Sequence, residues 1–208
     1  MKLFYCKNNN SDLNIDNNMV ICGSSNSMLN NKSGNQIDNF ENIIRFNRAP
    51  TESYEEYVGS KTTIRVLNNH VSLNVKLKTN EFSNSPQSFI PSIKDSKILI
   101  IGPGVNLHSV HKTLDSSNDI YLFDYSKISK LKSNLKIDKL NKQMSVGFCF
   151  ICLSIISGLK PTIYGFDYNN ENRTHYWEKR IHHSAAHSIN GESLYIQKFI
   201  NEDKIKLL

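Results

Sequence analysis

The sequence predicts an α/β fold, a single Rossmann-like domain in which helices flank a mostly parallel central sheet. Short runs of β-branched and other apolar residues alternate with helical stretches along the chain, and this alternation is typical of parallel sheets. Several of the runs are apolar throughout, as expected for strands that are buried on both faces. The length of 208 residues is that of one ordinary domain.

The apolar runs and the turn residues between them predict the elements in order. Strands are predicted at residues 19–22, 42–46, 62–67, 97–101, 120–123 and 162–166, with a short last one at 205–208. Helices are predicted at residues 54–57, 107–114, 126–135, 146–159 and 193–200. Residues 68–96, which are rich in Asn and Ser, predict a variable loop region, functional or partly helical, inside one domain that spans residues 1–208.

The composition excludes several classes of protein. Hydrophobic residues make up 38% of the chain, which excludes a fully disordered protein. No apolar run reaches the roughly 18 residues of a membrane span, and the first residues lack the apolar stretch of a secretory signal. A cytoplasmic protein with neither signal peptide nor transmembrane anchor is therefore expected. The Lys-rich residues 127–142 leave open a peripheral contact with the inner face of the membrane.

The net charge of 25 − 19 = +6 suits an anionic ligand such as a nucleotide or an acidic glycan. The excess is mostly Lys, as an AT-rich coding sequence would produce, so it is weak support for nucleic-acid binding. A non-catalytic nucleic-acid binder remains a minor alternative, but no nucleic-acid partner is expected.

Cys149 and Cys152 form a C-x-x-C pair, a spacing found in redox and zinc sites. Their neighbours are almost all apolar, which predicts a buried helix, and a second C-x-x-C is absent from the sequence. Both residues are therefore interpreted as core thiols, since a buried cysteine behaves as a small hydrophobic residue.

Two predicted strands end in glycine and small residues. Residues 22–26, Cys-Gly-Ser-Ser-Asn, follow the first strand, and their backbone N–H groups and hydroxyls can bind a ligand. Residues 101–104, Ile-Gly-Pro-Gly, are similar to the G-x-G turn of nucleotide and methyl-donor sites but lack its third glycine. A methyltransferase that uses S-adenosylmethionine is therefore an alternative function.

The most specific stretch runs from residue 34 to residue 63. It contains Ile37-Asp38, then residues 45–50, Arg-Phe-Asn-Arg-Ala-Pro, and residues 58–63, Val-Gly-Ser-Lys-Thr-Thr. Asn47 directly follows a predicted strand, where its carbonyl and its amide can both bind a base or a sugar. Asp38 and Arg45 are expected to form a structural ion pair.

Together these segments resemble glycosyltransferase family 29, the eukaryotic-type sialyltransferases. Residues 23–63 look like the large sialyl motif of that family. Ser145-Val146-Gly147, followed by residues 163–167, resembles its small motif. Residues 175–178, His-Tyr-Trp-Glu, look like its H-Y-x-E motif, and His187 with Glu192 matches the H-x4-E spacing of its very small motif. The four motifs occur in the family's order, and the resemblance implies a GT-A-like variant of the Rossmann fold.

The sequence also departs from the family pattern. Met19 and a position near Gly158 stand where the family has cysteines, so the disulfide that links the large and small motifs there is not expected here. Met144 replaces a proline, and Ser24 holds a position that is often Asn. The missing disulfide fits a reducing compartment.

The resemblance implies an inverting glycosyltransferase that moves sialic acid from CMP-sialic acid to a hydroxyl of an oligosaccharide or glycolipid, with a galactoside expected. A related CMP-ulosonic acid, CMP-Kdo, is an alternative donor that the sequence does not separate from CMP-sialic acid. Neither a cofactor nor a metal is implied. A metal site on His182, His183 and His187 is the competing interpretation, but the Glu of H-E-x-x-H is missing.

The resemblance also implies a role for each motif residue. His187 is the catalytic base, because the pKa of an imidazole lies near the working pH, and His175 is the second catalytic histidine. His175 and Tyr176 are expected to donate hydrogen bonds to the phosphate, with Glu178 and Glu192 in supporting roles. The implied donor-binding residues are Ser24, Ser25, Asn26, Asn47, Ser145, Val146 and Gly147, the last three at a helix N-terminus that favours an anion.

Overall fold

The computed structural model describes residues 4–6, 13–68, 97–103, 119–140, 143–166, 175–178 and 189–208. Its centre is an eight-stranded sheet in the order β1-β6-β5-β4-β3-β2-β7-β8. The strands are β1 (Phe4–Cys6), β2 (Met19–Cys22), β3 (Asn42–Phe46), β4 (Ile64–Asn68), β5 (Lys97–Ile101), β6 (Ile120–Phe123), β7 (Thr162–Tyr164) and β8 (Lys206–Leu207). β1 runs antiparallel to β6 and the other pairs are parallel, which confirms the predicted fold class.

Helices flank this sheet. They are α1 (Gly34–Asp38), α2 (Glu55–Val58), α3 (Ile128–Asn134), α4 (Val146–Ile156) and α5 (Ile189–Asn201), with short 3-10 turns at Asn26–Asn30 and Tyr125–Lys127. The helix predicted at residues 107–114 and residues 69–96 of the predicted loop region lie outside the described residues. β1 and α1 were not predicted from the sequence.

The predicted bounds differ from the observed ones where local bonding interrupts an element. Strand β4 begins at Ile64, because the Thr63 hydroxyl accepts a hydrogen bond from the Ile43 N–H at 2.8 Å and takes the place of a ladder bond. Strand β7 ends at Tyr164, since Gly165 adopts a φ of 75°. Helix α4 ends at Ile156, because Gly158, two residues further on, adopts a left-handed conformation with a φ of 80°.

The sheet order reverses at β2. The chain adds β3, β4, β5 and β6 in turn on one side of β2, and α4 then leads to β7 on its other side. In open parallel sheets ligands bind outside the carboxyl ends of the strands at such a reversal. The fold therefore places a candidate site at the carboxyl ends of β2, β3 and β7.

Each face of the sheet packs against its own group of helices. Met19 and Ile21 on β2 face a core that includes α4 and part of α5, whereas Val20 and Cys22 face a smaller core with α1 and α2. Cys149 and Cys152 are buried free thiols in α4, as predicted. Burial raises the pKa of the Cys149 thiol to about 12, and the nearby Glu192 acts in the same direction, so this thiol is protonated and inert at neutral pH.

Two arginines lie side by side inside the smaller core. Arg45 and Arg65 are partners in the β3–β4 register and are 1% and 0% exposed. Both donate to loop oxygens: Arg45 Nε to the Lys61 carbonyl at 3.1 Å and Arg65 Nη1 to the Ala49 carbonyl at 2.9 Å. A buried charge is tolerated only where such partners exist. The pair therefore holds the loops that follow β3 and α2.

Asp38 holds the same 58–61 loop through its N–H groups. Its carboxylate accepts from the Ser60 N–H at 2.8 Å, the Ser60 hydroxyl at 2.8 Å and the Lys61 N–H at 3.0 Å. The expected direct ion pair between Asp38 and Arg45 was wrong. Asp38 binds N–H groups of the loop, whereas Arg45 donates to its Lys61 and Val58 carbonyls. Burial raises the pKa of the Asp38 carboxyl, but these donors outweigh it and leave the pKa below its usual value.

We predict that Asp38→Asn lowers the free energy of unfolding by about 1 kcal/mol at neutral pH, because the half-buried carboxylate loses charge-assisted bonds. The folded-state pKa is lowered, so the contribution of the carboxylate is full above about pH 4 and is lost as the pH falls through the folded-state value. In urea unfolding the two proteins should therefore converge below about pH 4. The exposed Glu52, changed to Gln, is the control, and a difference that stays constant with pH would contradict the prediction.

Candidate functional site

The loop that follows β2 is tied to the end of β7. The Gly23 N–H donates to the Tyr164 carbonyl at 2.7 Å, and the Ser25 N–H donates to the Gly165 carbonyl at 3.1 Å. A Cβ at Gly23 would lie 2.1 Å from the Gly165 oxygen, so glycine is required for this approach. Ser24 and Ser25, both predicted to bind the donor, therefore stand at the reversal point of the sheet.

The H-Y-x-E segment docks onto this loop. His175 forms an isolated antiparallel bridge with Ser25, and the Tyr176 N–H donates to the Ser24 carbonyl at 3.1 Å. The His175 ring stacks on Trp177 with centroids 4.5 Å apart and planes 7° apart. The structure thus brings two of the predicted motifs into direct contact.

Glu178 orients His175. Its Oε2 lies 2.9 Å from His175 Nδ1, and because a carboxylate accepts, Nδ1 carries the hydrogen. Nε2 then carries a hydrogen only when the ring is protonated on both nitrogens. The His175 side chain is 34% exposed, so a ligand in the site has access to it.

Tyr176 differs from its expected role as a phosphate donor. Its hydroxyl donates to the Pro50 carbonyl, and the side chain is buried with its ring edge-on to Tyr54 and Trp177. A phenol has a single O–H to donate, and here that donor is directed at the backbone. In this arrangement the Tyr176 hydroxyl holds the H-Y-x-E segment to the loop after β3, which does not support the expected phosphate role, whereas the His175 side chain is partly exposed.

Asn47 follows β3 with a φ of 46°, a left-handed conformation that Asn tolerates better than most residues. Its Oδ1 accepts from the Asn68 N–H at 2.9 Å, and its own N–H donates to the Val66 carbonyl at 2.8 Å. Both the carbonyl and the NH2 group of this amide were expected to bind a ligand. Since the oxygen already binds the end of β4, the NH2 group is the end that can bind a base, ribose or phosphate.

Helix α4 begins at Val146 and is capped by Ser145, whose hydroxyl accepts from the Phe148 N–H at 3.2 Å. Glu192 on α5 is 0% exposed and binds the same residue, accepting from the Ser145 N–H at 2.6 Å and its hydroxyl at 2.7 Å. The supporting carboxylate therefore already takes the Ser145 amide that was expected to bind the donor. Helix geometry leaves the N–H groups of Val146 and Gly147 without intrahelical acceptors, and these remain the candidates for an anion.

The start of α4 and the two loops meet at one aromatic ring. A Cβ at Gly147 would lie 3.0 Å from the Phe166 ring, and a Cβ at Gly23 would lie 3.2 Å from it. Phe46, which directly precedes Asn47, packs edge-on against Phe166 with centroids 6.2 Å apart. The ends of β2, β3 and β7 and the start of α4 therefore surround Phe166.

Other predicted residues lie elsewhere or outside the description. Asn26 is exposed at the start of a 3-10 turn. His187, with His182 and His183 of the competing metal site, lies outside the described residues; within those residues the acidic, His and Cys side chains form no group able to hold a metal. The Gly102 turn follows β5, which is separated from β3 by β4, so the methyl-donor motif does not share this site.

Three residues at the site were not assigned roles from the sequence: Phe166, Asn68 and Arg65. Arg65 carried a usable signal, because a cation inside the apolar run 64–67 of a buried strand must bind buried oxygens. Phe166 and Asn68 carried none, since their importance depends on which strand ends become neighbours.

Comparison with known proteins finds sialyltransferases, and the family match covers most of the chain. The family model described as glycosyltransferase family 29 (sialyltransferase) matches residues 15–204. The beta-galactoside alpha-2,6-sialyltransferase 2 of Homo sapiens is 45% identical over 51 residues, which are 24% of this chain and 10% of that protein. The bovine protein of the same name is 43% identical over 55 residues, 26% of this chain and 11% of its own length. The matched segment thus spans about a tenth of these relatives.

Solved structures share the fold across nearly the whole chain. A mammalian sialyltransferase in complex with Gal-beta-1-3GalNAc-ortho-nitrophenol has a TM-score of 0.64 at 19% identity, covering 91% of this chain and 68% of that one. The sialyltransferase CstII from Campylobacter jejuni, in complex with the substrate analogue CMP-3FNeuAc, has a TM-score of 0.59 at 15% identity, covering 91% and 80%. At these identities the likeness shows the fold.

No helix within the described ranges combines the length and apolar character that a membrane crossing needs.

We predict that Glu192→Ala lowers the free energy of unfolding by about 3 kcal/mol, because it leaves the Ser145 N–H and hydroxyl without their buried acceptor. Glu192→Gln keeps one acceptor oxygen and should cost about 1 kcal/mol. In urea unfolding, Glu192→Ala and Ser145→Ala should be non-additive by about 1 kcal/mol, since each removes part of the same contact. Additive effects would show that the contact does not stabilise the fold.

Proposed function

Because the chain belongs to glycosyltransferase family 29, the sialyltransferases, we propose that it transfers sialic acid from CMP-sialic acid to a hydroxyl of a glycan acceptor, a galactoside, with inversion at the anomeric carbon. The donor is supported by the related fold of CstII with its CMP analogue, and the acceptor by the names of the beta-galactoside relatives. The residues to which we assign roles are those at the ends of β2 and β3, at the start of α4 and in the H-Y-x-E segment, together with His187.

One observation carries the proposal: four motif-bearing segments converge at the carboxyl edge of the sheet, at its reversal point. The loop after β2 contacts the H-Y-x-E segment through Ser24 and Ser25, while the loop after β3 and the start of α4 meet it around Phe166. Backbone N–H groups, hydroxyls and one amide NH2 lie at this edge of the sheet, and such groups suit the phosphate and ribose of a nucleoside monophosphate.

His175 and the first turn of α4 stabilise the leaving group in this proposal. When the bond from the anomeric carbon to the phosphate oxygen breaks, its electron pair and a negative charge stay on CMP. In the imidazolium form, with hydrogens on both ring nitrogens, His175 donates from Nε2 to the phosphate, and this bond and the N–H groups of Val146 and Gly147 oppose that charge. A fixed donor of this kind is typically worth about 3 kcal/mol of barrier.

His187 completes the reaction as the general base. It accepts the proton of the acceptor hydroxyl while that oxygen attacks the anomeric carbon from the face opposite CMP, so one C–O bond forms as another breaks and the configuration inverts. We also propose that no metal is required, because a monophosphate leaving group carries less charge than a diphosphate and the amide and imidazole donors can oppose it.

We predict that Asn47→Asp weakens CMP binding about tenfold while the free energy of unfolding changes little. Aspartate keeps the oxygen that accepts from the Asn68 N–H but replaces the ligand-binding NH2 with a negative charge. Asn47→Ala should lose both CMP affinity and stability, since it also removes that hydrogen bond. Titration calorimetry and urea unfolding measure the two effects, and normal CMP affinity in Asn47→Asp would remove Asn47 from the nucleotide site.

The transfer itself is tested by CMP release from CMP-sialic acid and from CMP-Kdo, each with and without lactose and with EDTA. We expect lactose-dependent CMP release from CMP-sialic acid that is unchanged by EDTA, and a sialylated product whose NMR spectrum shows the inverted anomer. His187→Ala is the control, with CMP affinity retained and transfer abolished. Release from CMP-Kdo alone, or binding of S-adenosylmethionine in place of CMP, would contradict the proposal.

A further inference from the structure

We infer that Tyr176 is a positioning residue whose side chain clamps the His175 segment to the donor-binding loops. The inference rests on the proposed function, since it concerns how the imidazole is held against the phosphate of the leaving nucleotide. Its subject is the buried phenol of Tyr176, a polar group of the described site that the proposed mechanism does not use directly.

The clamp joins three segments that are far apart in the sequence. The Tyr176 N–H donates to the Ser24 carbonyl after β2, and its hydroxyl donates to the Pro50 carbonyl after β3. The ring packs edge-on against Tyr54 with centroids 5.1 Å apart, and against Trp177 with centroids 4.7 Å apart. Because His175 is the preceding residue, these contacts hold the backbone from which its ring projects.

The Pro50 end of the clamp is fixed from the sheet. Arg65 Nη1 donates to the Ala49 carbonyl at 2.9 Å, so two adjacent carbonyls are held by two different elements. Burial, together with the nearby Arg45, lowers the pKa of the Arg65 guanidinium to about 9, which is still above neutral, and Arg65 stays charged. The acceptor of the Tyr176 hydroxyl therefore has a fixed place relative to Asn47 in the same loop.

The hydroxyl is suited to a permanent structural bond. The Tyr176 side chain is 5% exposed, and burial raises the pKa of its phenol well above the ordinary value despite the nearby Arg45 and Arg65. The phenol consequently keeps its proton and stays a donor at any working pH. Because the Tyr176 hydroxyl keeps its proton and donates it to the Pro50 carbonyl, it positions the segment. In the proposal His175, one residue earlier, binds the ligand.

The test measures sialyl transfer by Tyr176→Phe and His175→Ala, singly and together. Tyr176→Phe removes only the hydroxyl, and we expect kcat to fall about 10- to 100-fold because small misplacements of a reacting group are that costly. KM for CMP-sialic acid should change less than about threefold, since the bond that is weakened, from His175 to the leaving phosphate, is strongest in the transition state. In the His175→Ala background the same change should alter kcat less than about twofold, because no imidazole remains to be misplaced.

Equal falls of kcat in the two backgrounds would overturn the inference and restore Tyr176 as an independent phosphate donor. Unchanged kcat in the single variant would overturn it as well. Tyr54→Phe is the matched control, since it removes a hydroxyl from the same aromatic cluster, and it should transfer at the wild-type rate.

Amide hydrogen exchange tests the clamp without a substrate. Tyr176→Phe should accelerate exchange of the residue 176 amide, which is bonded to Ser24, and leave the Ser145 amide protected by Glu192. If the wild-type protein does not transfer sialic acid, the proposed function fails, and the exchange result decides the clamp on its own. An unchanged exchange rate at residue 176 would reject it.

Discussion

The site depends on the position of β2 between β3 and β7. A parallel strand with neighbours added from both directions of the chain puts the ends of three strands at one edge, together with the start of the helix that makes the return crossing. The backbone bonds from Gly23 to Tyr164 and from Ser25 to Gly165 close that edge. Without the reversal at β2, the loops after β2 and β3, the end of β7 and the start of α4 would not meet at one edge.

Buried charged groups hold the loops and the helix start at these strand ends in place. Arg45, Arg65 and Glu192 are each almost fully buried, and each binds backbone groups of a loop or helix end. Asp38 does the same from a half-buried place. Burying a charge is unfavourable unless its hydrogen-bonding groups are satisfied, so each of these side chains fixes the loop that satisfies it.

Much of the fold followed from hydrophobic patterning. Met19–Cys22 and Ile120–Phe123 were predicted with their observed bounds, because strands buried on both faces read as unbroken apolar runs. Asn42–Phe46 was also predicted with its observed bounds, although Arg45 interrupts its apolar run. The family resemblance located Ser24, Ser25 and His175, which the structure brings together. Short elements such as α1 were missed, since five residues with a single large apolar side chain, Ile37, carry no helical periodicity.

The direction in which side chains point could not be predicted. Asp38 and Arg45 are opposite charges close in the motif, yet each turns to the backbone of the 58–61 loop. Tyr176 directly follows the partly exposed His175, yet its hydroxyl donates to the Pro50 carbonyl. Both outcomes depend on which loop is packed nearby, and that is a property of the tertiary fold. Sequence motifs therefore predict which residues lie at the site better than they predict the hydrogen-bond partners of each side chain.

The most direct measurement is a crystal structure of the protein with CMP. The account predicts the nucleotide at the carboxyl edge of the sheet, with the Asn47 NH2 and the Ser24–Ser25 loop on its ribose and phosphate. His175 Nε2 and the first turn of α4 should lie within hydrogen-bonding distance of the phosphate, about 3 Å. CMP bound at the end of β5, or with its phosphate remote from both His175 and α4, would contradict the account.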